Sequence, residues 1–127
     1  MRYLVYRESH FSAAHHLRDY RGKCENIHGH NWRVRLYVSR PDLAADGFVM
    51  DFKVLDEILA AAVEPLDHHD LNGVPPFTEA NPTAEHIARH IFEKTAELAM
   101  RRDPACAVER VMVWESERSC AIVERTP

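Results

Sequence analysis

From His28 to Ser39 the chain alternates strictly enough that a half-buried β-strand is the conformation that satisfies it. Trp32, Val34, Leu36 and Val38 fall on one face, and Arg33, Arg35 and Tyr37 on the other. That period of two is the spacing at which successive strand side chains change sides. One apolar and one polar face imply an antiparallel setting, because parallel sheets are covered on both faces. Residues 2–12 also alternate and are rich in Tyr, Val and Phe, so they read as a partner strand. Residues 108–115 and 119–124 read as two closing strands, and Phe48 to Met50 as a short one.

The helical signals lie together between these strands. Asp51 can accept from free backbone N–H groups as an N-cap. Phe52, Leu55, Ile58, Leu59, Ala62 and Val63 follow at helical spacing. Asn81-Pro82-Thr83 predicts a second start, with Asn81 as cap and Pro82 tolerated in the first turn. Ile87, Ala88, Ile91, Phe92 and Leu98 form its stripe. Residues 14–27, 40–46 and 64–80 are rich in polar, Gly or Pro residues and read as loops. Helices and strands are segregated, so the expected class is α+β: an antiparallel sheet with two helices on one face. At 127 residues and 46% hydrophobic content, the chain 1–127 is expected to be one domain with one core.

The same composition excludes several roles. No apolar run approaches the ~20 residues of a membrane helix; Ile58 to Val63 is the longest candidate. The opening Met1-Arg2-Tyr3-Leu4 lacks a signal-peptide core, so the expected location is cytoplasmic, with no membrane partner. Cys24, Cys106 and Cys120 are an odd set without a CxxC pair, which fits a reducing compartment and no cysteine-rich zinc site. A net charge of −4 argues against nucleic-acid binding. Residues 1–35 nevertheless hold seven Lys/Arg against three Asp/Glu, a bias that would attract an anionic substrate. Lys23, Arg33 and Arg35 are candidates to hold a phosphate ester, without a choice among them.

Nine histidines are many for this length, and their placement is informative. His28-Gly29-His30 opens the alternating strand. Residues i and i+2 point the same way, so both imidazoles can reach one ion, with Gly29 expected to leave it room. A catalytic zinc site takes three protein ligands and keeps a position open; His15 or His16, at the end of the first strand, is the natural third. Cys24, four residues before His28, sits in a polar loop where a nearby cation would favour its thiolate as base or nucleophile; the alternative is a small apolar filler. Asp67-His68-His69-Asp70 could contain a proton relay in which an aspartate orients a histidine, or only capping groups. Glu115 shares a face with Val111 and Val113 and could bind the amidine-like edge of a heterocycle through two hydrogen bonds, or be an exposed strand end. His86 and His90 stand at i,i+4 without an HExxH pattern and read as surface or packing residues. Cys106 has no chemical neighbourhood, and Cys120 reads as a core residue of its strand.

Phe11-Ser12-Ala13-Ala14-His15, Cys24-x-x-x-His28-Gly29-His30, Met50-Asp51-Phe52, Leu66-Asp67-His68-x-x-Leu71-Asn72, Asn81-Pro82-Thr83-Ala84-Glu85 and the Glu115 strand occur in this order. Together they resemble the 6-pyruvoyltetrahydropterin synthase family over almost the whole chain. The resemblance implies a tunnelling fold, usually a hexamer of two trimers, with sites between subunits. It implies Zn2+ on His15, His28 and His30, with His15 rather than His16 as first ligand. It implies Cys24 as catalytic base and Asp67 with His68 as a second proton-transfer pair. Glu115 would anchor the pterin, helped by backbone groups near Thr83 and Ala84. Three residues between Cys24 and His28 resemble the bacterial 6-carboxytetrahydropterin synthases of the queuosine pathway; the pyruvoyl-forming branch typically has five. A folate-pathway branch carries glutamate in place of the cysteine, and Glu25 is one position out of register for that. The implied substrate is 7,8-dihydroneopterin triphosphate, with no redox cofactor. The alternatives are a 6-pyruvoyl product, a non-catalytic zinc or pterin-binding relative, and a metal-dependent hydrolase that needs no cysteine.

Overall fold

The computed structural model describes residues 1–20, 22 and 25–127. Five strands form one sheet, ordered β3-β1-β2-β4-β5. They are β1 (Tyr3–His15), β2 (His28–Arg40), β3 (His69–Asp70), β4 (Ala107–Ser116) and β5 (Ser119–Glu124). Neighbours pair antiparallel except β3, which runs parallel to β1 over Ala13 and Ala14. Helix α1 (Phe52–Val63) packs over β1, α2 (Ala84–Arg102) over β4 and β5, and the helices touch each other. The α+β expectation holds, with both helices on one face of a mostly antiparallel sheet.

The apolar halves of the strands are the reason for that face. Trp32, Val34, Leu36 and Val38 of β2 are fully buried, as are Val111 and Val113 of β4. They meet Leu55, Ile58 and Leu59 of α1 and Ile87, Ala88 and Ile91 of α2 in one cluster. Each large side chain buried there contributes about 1.5–3 kcal/mol relative to exposure. The outer face is charged and aromatic. Arg33 stacks on Trp114 with its guanidinium carbon 3.8 Å from the ring centroid, and Arg35 lies 4.5 Å from the Tyr6 centroid.

Several local readings change. β1 runs three residues further than expected, to His15, because its end pairs with the start of β2. Phe48 to Met50 is not a strand: the Phe48 carbonyl accepts from Ala44 N–H and the Val49 carbonyl from the Cys106 thiol, which leaves no ladder to join. Helix α2 is capped by Thr83, whose Oγ1 accepts from His86 N–H at 3.1 Å. Asn81 is used elsewhere, so Pro82 precedes the helix instead of opening it. The 64–80 loop contains β3 and a 3₁₀ turn at Leu71–Gly73. Cys120 is exposed, not core, because it lies on the outward side of edge strand β5. Asp51 caps α1 as expected, accepting from Lys53 N–H at 2.8 Å.

Candidate functional site

The β1–β2 ladder brings the three histidines together. His15 pairs with His28 across the ladder, and Ala13 with His30. Strand alternation then places all three imidazoles on the helix-bearing face, at the end of the sheet where the core stops. Gly29 points the other way: a Cβ built on it would meet nothing nearer than the Ala13 carbonyl at 4.0 Å. Its expected role in making room for an ion is therefore not observed. His16 does not join the cluster; its N–H donates to Asn72 Oδ1 at 2.9 Å.

Backbone carbonyls fix the orientation of two rings. His15 Nδ1 lies 2.8 Å from the buried Pro82 carbonyl, and His28 Nδ1 lies 2.7 Å from the Asn26 carbonyl. A carbonyl only accepts, so each Nδ1 carries the proton and each neutral ring presents a bare lone pair at Nε2. Those Nε2 atoms face each other at 3.0 Å. Two lone pairs at that distance repel unless a cation lies between them. His30 Nε2 is also buried and makes no hydrogen bond among the described residues, although Glu115 Oε1 lies 3.1 Å away. Burial pushes the imidazoles of both His15 and His30 below the ordinary histidine value, more than Glu115 raises them, so both are neutral at pH 7 and able to offer a lone pair. One donor atom each from His15, His28, His30 and Glu115 lies within 4.8 Å of the others. Ligands about 2.0–2.2 Å from one ion at tetrahedral angles sit roughly 3.3–3.6 Å apart. The donor set fits a divalent metal, and zinc is among the ions with a preference for it.

The Asp67 and His68 side chains lie against each other. Asp67 Oδ1 accepts from Ser12 N–H at 2.8 Å and lies 3.0 Å from His68 Nδ1. The Ser12 amide, with help from His68, holds the Asp67 carboxyl below its usual range. His68 has a left-handed backbone, φ 60°, held by donation from its own N–H to the Ser12 carbonyl at 2.6 Å. A non-glycine residue in that region is costly, and such strain concentrates at functional sites. The His68 side chain is 81% exposed. It shares a cavity of about 440 Å³ with Ser12, Ala14, Gly29, His30 and Asn31. No hydrogen bond or ion pair joins Asp67 or His68 to the three histidines among the described residues. His69 is engaged separately, its Nδ1 donating to the Asp67 carbonyl.

Glu115 and Ala84 line a second cavity of about 260 Å³ with Glu85, Ser119, Cys120 and Ala121. Thr83 is fully engaged: its N–H donates to the Asn81 carbonyl, its own carbonyl accepts from Ile87, and its hydroxyl caps α2. Ala84 is left as a first-turn residue whose N–H has no acceptor within the helix. Arg33 and Arg35 lie on the opposite face, paired with Glu8 at 3.4 and 2.8 Å. The proposed base Cys24 and the candidate Lys23 lie outside the described residues.

Sequence reasoning missed the residues that brace the histidine cluster. Arg18 donates to the carbonyls of Asn72, Phe77 and Ala80. Asn81 Oδ1 accepts from Arg18 N–H at 2.9 Å, and Asn72 bonds both backbone groups of His16. These contacts fasten the chain after His15 to the segment that carries the Pro82 carbonyl. Asn72 and Asn81, polar residues in otherwise loop-like runs, were the available signal. His86 and His90 are surface and packing residues respectively, within the expectation: His86 is exposed and its Nδ1 donates to the Asn81 carbonyl, and His90 packs edge-on against Phe77.

Comparison with known proteins agrees with this geometry. The family model described as 6-pyruvoyl tetrahydropterin synthase matches residues 4–126. A Synechocystis protein named 6-carboxy-5,6,7,8-tetrahydropterin synthase is 41% identical over 100 residues, which is 75% of this chain and 76% of the relative. A Pyrococcus furiosus protein named dihydroneopterin monophosphate aldolase is 31% identical over 112 residues, 88% of each chain. The solved structure of Caenorhabditis elegans 6-pyruvoyl tetrahydropterin synthase superposes with a TM-score of 0.87 at 24% identity, over 99% of this chain and 97% of that one. At that identity the likeness shows the fold alone, which is the tunnelling fold.

Proposed function

The chain belongs to the 6-pyruvoyl tetrahydropterin synthase family, and from that premise we propose that it is a zinc-dependent 6-carboxytetrahydropterin synthase. Its substrate is 7,8-dihydroneopterin triphosphate, and its products are 6-carboxytetrahydropterin, acetaldehyde and triphosphate, on the route to queuosine. The observation that carries this reading is the convergence of two facing Nε2 lone pairs and a third buried Nε2 that makes no hydrogen bond among the described residues. The name of the Synechocystis relative supports the choice of product.

A zinc ion held by His15, His28 and His30 supplies Lewis acidity toward the substrate's side-chain hydroxyls when bound. Glu115 accepts two hydrogen bonds from the 2-amino and N3 edge of the pterin, and the Ala84 N–H adds a third contact. Cys24 as thiolate removes a side-chain proton. His68, with Nδ1 held by Asp67, moves protons through its Nε2. One water is consumed as triphosphate leaves. The side chain breaks after its first carbon, two carbons depart as acetaldehyde, and the retained carbon becomes the carboxylate while the ring is reduced. Oxidation and reduction thus balance within the substrate, and no redox cofactor is required. The protein assembles as a hexamer of two trimers. The outer edge of β5 has no partner strand among the described residues, and β3 covers only two residues of β1, so both sheet edges are available to neighbours.

Mass spectrometry of products from zinc-loaded protein and dihydroneopterin triphosphate tests the reading. A 6-carboxy product with acetaldehyde is expected. A 6-pyruvoyl product would move the protein to the sister branch. Preference for the monophosphate would group it with the Pyrococcus relative. No turnover with zinc bound and Cys24 reduced would sink the assignment. Cys24→Ala should abolish turnover and keep zinc; an active variant would refute the base and favour a zinc hydrolase.

A further inference from the structure

Helix α2 carries a second set of metal-type donors, away from the three-histidine cluster. His86, His90 and Glu93 stand at i, i+4 and i+7, so they share one helix face within about 60° of arc. They line one cavity of about 240 Å³, with Phe77 and Arg89 also in its wall. His-x-x-x-His is the helical spacing at which two imidazoles can reach one ion. Ile87 stands where an HExxH glutamate would be; that removes a general base but leaves the two-imidazole chelate. His86 Nδ1 lies 2.6 Å from the Asn81 carbonyl, so it carries the proton and Nε2 is bare. A carbonyl on the far nitrogen is how metal-binding histidines are held, and the same kind of tether holds His15 and His28. His90 packs edge-on against Phe77 and makes no side-chain hydrogen bond among the described residues. Burial, with Lys94, keeps its imidazole below the ordinary value against the pull of Glu93, so it is neutral at pH 7. Glu93 is paired with Arg89 at 3.0 Å, but both side chains are mostly exposed, and such pairs are weak.

We propose that His86, His90 and Glu93 form a second divalent-metal site, independent of the three-histidine cluster, that takes an imidazole-preferring transition ion such as zinc, nickel or copper. Two neutral imidazoles and one carboxylate suit those ions over calcium or magnesium, which prefer oxygen donors throughout. Glu93 joins by leaving Arg89, and solvent completes the coordination. The site is weaker than the first, because it has one imidazole fewer and because Arg89 and Lys94 stand beside it. It does not rest on the pterin reading, since none of its residues belongs to the site proposed for that ligand. Its consequence is stoichiometric: the metal content of this protein can reach two ions per chain, and only the tighter one reports on His15, His28 and His30.

Equilibrium dialysis against rising free zinc tests this, with zinc per chain measured on the whole protein. The wild type should take up a second, weaker ion per chain. His86→Ala, His90→Gln and Glu93→Gln should each weaken that ion at least about tenfold, since losing a ligand costs no less than losing the partner behind one, and should leave the first ion in place. His28→Ala should lose the first ion and keep the second. His86 is exposed, so His86→Ala keeps the fold, and circular dichroism checks each variant. If no bound zinc responds to His86→Ala, the site does not exist. Loss of both ions in His28→Ala would assign both to the first cluster and overturn the independence of the second. Undiminished affinity for the weaker ion in Glu93→Gln would overturn the part given to the carboxylate. If the three-histidine reading fails instead, the wild type binds one ion per chain that is lost in His86→Ala and unaffected by His28→Ala, and the second site stands.

Discussion

Removing His15 and removing His28 should cost the same in metal and very different amounts in the metal-free fold. Each imidazole offers one Nε2 to the cluster. Apparent zinc binding of ~10–16 kcal/mol over four ligands is about 2.5–4 kcal/mol per ligand, a loss of roughly 10²–10³ in affinity for either alanine variant. The apo costs differ because the tethers differ. His15 is 1% exposed, so His15→Ala leaves the buried Pro82 carbonyl without its donor, about 1–3 kcal/mol. It also removes an edge-on contact to Trp32 at 5.0 Å, about 0.5–1.5 kcal/mol. The sum is roughly 2–4 kcal/mol. The His28 tether to Asn26 is solvent-exposed, and water replaces the lost donor, so His28→Ala should cost under about 1 kcal/mol. Urea unfolding in the presence of chelator reads the apo term, and chelator competition reads the metal term. His16→Ala is the control and should retain zinc. If His28→Ala binds zinc within about threefold of the wild type, or if His16→Ala loses it, the assignment of ligands from lone-pair direction is wrong.

Asp67→Asn and His68→Gln should each lower turnover by roughly 10²–10⁴ while zinc content stays at the wild-type value; single-turnover kinetics beside metal analysis checks both, and wild-type turnover in both would remove the proton-transfer role. Burial, with help from Lys94, pushes the His90 imidazole below its ordinary value. The unfolded chain therefore takes up a proton near about pH 6.5 before the native state does, so stability is full above that pH and falls as the pH drops toward the lower native value. His90→Gln removes this share, and the apo protein should lose less stability between about pH 7.5 and about pH 5.5 than the wild type; an equal loss in urea unfolding would refute it. Arg18→Ala frees three backbone carbonyls and should cost about 1–3 kcal/mol. It should also weaken zinc, since the same clamp steadies the Pro82 carbonyl; unchanged zinc affinity in a destabilised variant would break that link.

The parts of this molecule that were readable in advance are those encoded by short periods. Alternation in 28–39 located β2 and its buried face to within one residue. Asp51 and the apolar positions of 52–63 located α1 with its cap. The same parity argument placed His28 and His30 on one side. β1 was read short because Ala13, Ala14 and His15 have little strand preference of their own; pairing with His28–His30 extends it. That extension is also what singles out His15 over His16, since only ladder register decides which of two adjacent histidines faces inward. The short strand at Phe48 was misread because a run of apolar residues does not reveal whether its carbonyls are already spent on a turn and a thiol.

What stayed hidden shares a physical cause. The groups that hold the candidate side chains in place are mostly backbone atoms: the carbonyls of Pro82 and Asn26 for two rings, and the Ser12 amide for Asp67. Every residue type supplies such atoms, so no side-chain pattern announces them. The side chains that brace the surrounding segments are visible only as polar residues in loops, Arg18, Asn72 and Asn81, whose hydrogen bonds reach across 54 to 63 positions of sequence. Trp114 pairs with Cys120 and Ser116 with Ser119, which leaves Glu115 as the extra residue of a bulge. That bulge is hidden for the same reason, because it is a mismatch in count between two strands and not a property of either. The candidate donor side chains were therefore legible in the sequence, while their aim is a property of the ladder. A substitution that shifts register at Ser116–Ser119 should consequently disturb Glu115 while leaving the other proposed site residues in place.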